Sequence, residues 1–228
     1  RSFAIEAQKK ENALIHCAQW ITSTAGSSPA SNPFSMLPEP LVFPVRLFTV
    51  TLIPAKTHPM PALDAVTDLI TEVFDEIGGK VFLHTHEDEI CGLISNESLV
   101  ASGRTLDKKL ARLQRQVTTY FLDAPVIIYH DKPISLAELR QDYQLCEDSK
   151  ALAFYVGRSA PIKATAHTVT AQPFHVSQAE LSKATAVAAQ NADELQMQIA
   201  VHTFFQNCAA LCMPPQRVRE ACHLLLER

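Results

Sequence analysis

The stretch KVFLHTHEDEICGLIS (80–95) constrains this chain more than any other. On one side lies ALDAVTDLITEVFDEIGG (62–79), with apolar positions at Leu63, Val66, Leu69, Ile70, Val73, Phe74 and Ile77. On the other lies TLDKKLARLQRQVTTYFL (105–122), with Leu106, Leu110, Leu113, Val117 and Phe121. Both flanks carry the three-and-four spacing of an amphipathic helix. Between them, residues 81–84 and 90–94 are short β-rich runs around a polar centre, the pattern of a hairpin. A hairpin tied at both ends to helices has one economical fold: a sheet with those helices laid on it, so that each apolar stripe is buried against a partner.

The neighbouring segments extend the pattern. RLFTVTLIPA (46–55) is dense in β-branched and aromatic residues and stops at Pro54, and APVIIYH (124–130) reads as another strand. SLAELRQDYQLCEDSKALAFYVG (135–157) reads as a helix opening at Ser135, with Glu138 three residues on, and closing at Gly157. IKATAHTVTA (162–171) adds one more strand. The order strand, helix, strand, strand, helix, strand, helix, strand over residues 45–171 predicts an α+β sandwich with one mixed or antiparallel sheet.

Outside this core, residues 2–21 place Ile5, Leu14, Ile15, Ala18 and Ile21 at helical spacings. STAGSSPASNPFSMLPEPLVFP (23–44) holds five of the 14 prolines, so no helix or central strand can run through it. After residue 176 there is no strand signal, and SQAELSKATAVAAQ, NADELQMQIAVHTFFQNCAALC and PPQRVREACHLLLER read as three helices. The last opens on Pro214 and Pro215, where proline is tolerated. The expected organisation is an N-terminal helix (1–22), a Ser/Pro-rich linker (23–44), an α/β domain (45–172) and a helical connector (173–228).

With 228 residues, 47% of them hydrophobic, the chain can bury a sizeable core. A net charge of -4 argues against a surface that neutralises many phosphates, so nucleic acid is not expected as a direct partner. The six cysteines form no C-x-x-C, and most sit in apolar segments, which points to a reducing compartment. No apolar run approaches the roughly 20 residues that span a bilayer, and the first residues lack a signal-peptide core. The expectation is a soluble, cytoplasmic protein without membrane contact. The start on Arg1, already helix-like, reads as a segment cut from a longer chain.

Candidate chemistry concentrates in the hairpin. On a regular strand His84 and His86 share one face, because side chains alternate with a period of two, so both could grip one metal, with Asp88 or Glu89 as a third ligand. Yet neither a zinc-helix His-x-x-x-His pair nor a two-metal hydrolase set accompanies them. Gly78 followed by His84-x-His86 matches the opening of a cupin motif, but Glu89 falls one residue early, no second motif follows, and the helix content opposes an all-β barrel. There is no G-x-S-x-G nucleophile and no phosphate-cradling glycine loop. Cys208 and Cys212, beside Phe204, Phe205 and Leu211, read as packing. The basic face 107–116 reads as a solvated helix surface. No catalytic, cofactor-binding or metal-ligating set is assigned and no cofactor is expected; His84, His86, Asp88 and Glu89 are kept as hairpin candidates.

Three stretches carry a resemblance: KVFLHTHEDEICGLIS as a central hairpin; SLAELRQDYQLCEDSKALAFYVGRSAPI as a helix with a tyrosine, Tyr143, before an aromatic-rich turn; and VHTFFQNCAALCMPPQRVREACHLLLER as a helical connector. Together they resemble the middle regulatory domain of bacterial AraC-type transcription regulators, whose sensor region contains a degenerate GGDEF-like (diguanylate-cyclase-like) fold. The resemblance spans about residues 10–228. It implies a signal-relay domain between an input module and a helix-turn-helix module outside this chain, with no enzymatic activity and with homodimer contacts. The residues matching Gly-Gly-Asp-Glu-Phe are His86, Glu87, Asp88, Glu89 and Ile90: the two acids persist and the two glycines do not. The acid such a cyclase carries after its first strand is also missing from VTLIPAKTHP. On that footing HEDE is the polar turn of a hairpin whose chemistry is gone. Two alternatives stay open: a sensor that binds a small-molecule effector directly, and a nucleotide cyclase or metal-dependent enzyme using His84, His86, Asp88 and Glu89.

Overall fold

A computed structural model describes residues 2–23, 32–53, 61–121, 124–164, 174–191, 193–211 and 213–226. The fold is α+β. It divides into two units: residues 1–147 with 158–164, and residues 148–157 with 165–228. The expected helix 1–22 and the described part of the expected linker therefore belong to the sheet unit, and residues 148–157 belong to the helical unit.

In the first unit α1 (Ser2–Thr22) is followed by a 3-10 turn, Pro33–Met36, opened by the Asn32 side chain, which accepts from the Phe34 amide. This Ser/Pro-rich stretch is no free linker in its described part. Phe34 is fully buried and meets Trp20 and Phe43 edge-on. The sheet holds β1 (Val45–Thr51), β2 (Lys80–His86), β3 (Glu89–Ser95), β4 (Val126–Tyr129) and β5 (Ile162–Lys163), in the order β2-β3-β1-β4-β5. Every neighbouring pair is antiparallel except β4 with β5. The crossover helices are α2 (Leu63–Val73) and α4 (Leu106–Phe121), with a short α3 (Asn96–Ala101) after the hairpin; β-α-β-β-α-β in this strand order is a ferredoxin-like arrangement. Of the expected strand 162–171, Ile162 and Lys163 are strand, and residues 165–171 lie outside the described residues.

Alternation along the strands sorts the two faces. Phe48, Val50, Leu52, Ile90 and Ile94 point to α2 and α4, where they meet Val66, Ile70, Val73, Leu110, Leu113 and Val117. Leu47, Thr49, Glu89, Cys91 and Leu93 point the other way, towards α5 (Leu139–Ser149). Beside α5 lies α1, whose Trp20 ring stacks under the Arg140 guanidinium at 4.3 Å. With helices on both faces, all seven residues of β3 are buried. Gly92 has a specific reason: a Cβ there would stand 2.1 Å from the Phe48 ring, which stacks on Phe74 at 5.4 Å.

The helix expected over 135–157 is two helices. Ser135 and Glu138 do meet, with the Ser135 amide and hydroxyl both donating to Oε2 of Glu138, but this side-chain contact is one-way and helical geometry begins at Leu139. It breaks after Ser149, and α6 (Leu152–Val156) follows. In the second unit α6 accompanies α7 (Phe174–Asn191), α8 (Glu194–Ala210) and α9 (Pro215–Leu226). Its core is Leu181, Phe204, Cys208, Val218 and Ala221, and Tyr155 Oη donates to the Met213 carbonyl at 2.9 Å. Cys208 packs there as a free thiol, held up to about 11 by burial and, less, by nearby Cys222, while Cys212 lies outside the described residues. Among the described residues no helix is long and apolar enough to cross a membrane.

Candidate functional site

The site grows from an irregularity in the hairpin. His84 pairs with Ile90 and His86 pairs with Glu89, so one extra residue, Thr85, sits between two successive pairs. Such a bulge re-aims the side chains that follow it. Paired residues share a face, so His84 joins Ile90 on the α2 side and His86 joins Glu89 on the α5 side. The expectation that His84 and His86 face the same way is thereby corrected: the period of two holds only for a strand without a bulge. His84 Nε2 lies 3.0 Å from Thr67 Oγ1 of α2. Since that hydroxyl donates to the Leu63 carbonyl at 2.9 Å, Nε2 of His84 is the donor in the pair.

Glu89 is the centre of the α5 face. It has no exposed surface. Its Oε1 accepts from Tyr143 Oη at 2.8 Å and from Thr85 Oγ1 at 2.6 Å, and its Oε2 accepts from Thr51 Oγ1 at 3.0 Å. Burying a carboxyl group is expensive unless hydrogen bonds replace its lost water, and these hydroxyls come from β1, β2 and α5. They also fix its direction. Burial first, and then the adjacent Glu89 charge, push the Tyr143 phenol well above its ordinary range, so Tyr143 stays a donor.

The remaining hairpin candidates diverge. Asp88 is half-buried and its carbonyl accepts from the Leu52 amide at 2.8 Å, tying the turn to the end of β1; Glu87 is exposed. Of the four hairpin candidates, His86 and Glu89 come together and His84 and Asp88 do not join them. The partner missed in the sequence is Glu147, near the end of α5. His86 Nε2 lies 4.0 Å from Glu147 Oε2, and one ligand atom each of His86, Glu89 and Glu147 lies within 4.8 Å of the others. A signal for Glu147 existed: four residues after Tyr143 it shares that residue's helix face. What was missing was any reason to bring α5 onto the hairpin.

The basic face 107–116 is solvated at Lys108, Arg112 and Arg115 and corrected at Lys109. Lys109 is buried and donates to the Val73 carbonyl at 2.8 Å and to Glu76, which also meets Arg104 at 3.3 Å. Gln114 is buried too, donating to the Pro125 and Arg158 carbonyls. Lysine buries its stem and delivers its ammonium to a helix end, so formal charge did not mark exposure here.

Compared with protein-family models, curated proteins and solved structures, this chain shows no match.

Proposed function

We propose that this chain is a non-enzymatic signal-relay domain of a bacterial AraC-type transcription regulator, coupling an input module to a helix-turn-helix module outside the chain and working as a cytoplasmic homodimer. The observation that carries the reading is the inward turn of Glu89. In the GGDEF-like comparison, the hairpin turn presents its acids to a nucleotide. Here the fourth position of that turn is buried under Thr51, Thr85 and Tyr143. The glycine positions are filled by His86 and Glu87, and side chains there block close backbone approach to a triphosphate. A hairpin of this kind suits a scaffold more than a catalyst.

The strand order supports the same reading, as does the succession of a sheet unit by a helical unit, α5 carrying the chain from one into the other at residue 148. Incubation with GTP and magnesium or manganese tests it: no cyclic dinucleotide and no pyrophosphate above background is expected, and turnover abolished by Glu89→Gln overturns it. The coding sequence beyond Arg228 gives a second test. Two short helices joined by a tight turn in a basic segment are expected, and their absence removes the transcriptional part of the proposal.

A further inference from the structure

We propose that His86, Glu89 and Glu147 form a binding site for one divalent transition-metal ion of the zinc class, at the turn end of the β2–β3 hairpin. No metal set was assigned from the sequence, because the third ligand sits 58 residues after Glu89 on another element. The inference is independent of the relay reading, and it uses neither Asp88 nor an acid after the first strand.

Distance is the first support. Nε2 of His86 and Oε2 of Glu147 are 4.0 Å apart, and the three ligand atoms lie within 4.8 Å of one another. Two ligands of one tetrahedral zinc, each bonded at about 2.1 Å, stand about 3.4 Å apart. Closing that gap takes side-chain rotation of His86 and Glu147, whose side chains are 50% and 21% exposed. Glu89, fully buried, is the fixed floor.

Donor chemistry is the second. One imidazole with two carboxylates suits zinc, manganese or ferrous iron; calcium and magnesium prefer shells made of oxygen alone. One oxygen of each carboxylate lies within 4.8 Å of the other, where a divalent cation offsets their mutual repulsion. The exposed rim leaves room for a water as fourth ligand.

Second-sphere order is the third. Carboxylates that bind metals are themselves hydrogen-bonded, which sets their orientation. Oε1 of Glu89 accepts from Tyr143 and Thr85, and Oε2 accepts from the Thr51 hydroxyl, so the carboxylate is held in one orientation. The bulge at Thr85 completes the set, since without it His86 would face α2.

The test is calorimetric titration of the tag-free, chelator-treated chain with zinc chloride, with thermal unfolding followed in parallel. One ion per chain is expected, with a dissociation constant in the micromolar range or tighter, and unfolding moves to higher temperature with zinc. His86→Ala and Glu147→Gln should each weaken binding at least tenfold, whereas His84→Ala and Asp88→Asn should bind as the parent does. These four positions are partly or fully exposed, so the variants avoid the folding risk of changing buried Glu89. Absence of saturable binding overturns the proposal. So does parental affinity in either the His86 or the Glu147 variant, or an equal loss in His84→Ala.

Discussion

Glu89, Tyr143 and Gly92 show how single residues carry this fold. The hydroxyl of Tyr143 supplies a hydrogen bond to a carboxyl group that has no solvent contact. Tyr143→Phe keeps the ring and removes that donor, so a loss of about 1.5–3 kcal/mol in unfolding free energy is expected, the range for a hydrogen bond to a charged group. Urea denaturation reads it. The same residue gives a pH signature. The phenol titrates higher when folded than its unfolded value of about 10, so the folded state holds its proton more tightly. Its contribution is fully present below that pH and is lost as pH rises above it. Tyr143→Phe should therefore flatten the alkaline fall in stability measured between neutral pH and the onset of unfolding. At Gly92 the constraint is space: Gly92→Ala sets a methyl against the Phe48 ring, and a loss of about 3 kcal/mol, the upper end for overpacking, is expected in the same assay.

At the scale of elements, the end of α2 is the instructive case. Carbonyls in the last turn of a helix lack partners within it. Lys80 Nζ takes the Phe74, Asp75 and Ile77 carbonyls at 2.8, 3.1 and 2.7 Å, and Lys109 takes the Val73 carbonyl at 2.8 Å. A cation suits the negative end of the helix dipole as well. Lys109 thus takes a carbonyl of the last turn of α2, which ends at Val73, and Lys80 takes those of the turn just after it, short of the glycine pair. Lys80→Met, which keeps the aliphatic stem, should lower stability by about 1–3 kcal/mol, seen as a reduced urea midpoint with an unchanged slope. The hairpin makes the complementary point: a single extra residue sends His84 and His86 to opposite faces, which alternation alone would have placed together.

For the whole molecule, the two units each have a core, and α8 also leaves apolar residues in solvent: Leu195 is 64% exposed and Ile199, one turn on, 50%. Those residues are where the proposed homodimer would pair, through a helix face rather than a sheet edge. Sedimentation at micromolar concentration should give a dimer, and Leu195→Glu a monomer with unchanged helical content. A parent chain that sediments as a monomer throughout removes dimerisation from the proposed function.

Periodicity in the chain determined which segments became helices and strands. The apolar positions of α2 and α4 fill one core, and the hairpin between them forms where the β-rich runs place it, because local spacing dictates which face of an element must leave water. The fold class followed from that order. Only the tertiary structure decided the rest. Burial of Glu89, the Lys109 contact at the end of α2 and the approach of Glu147 to His86 all depend on contacts between residues distant in sequence. A bulge, a buried charge and a helix end satisfied from another element leave no periodic trace. Their energy comes from desolvation and hydrogen bonding across elements, and the partner exists only once the sheet has brought it there.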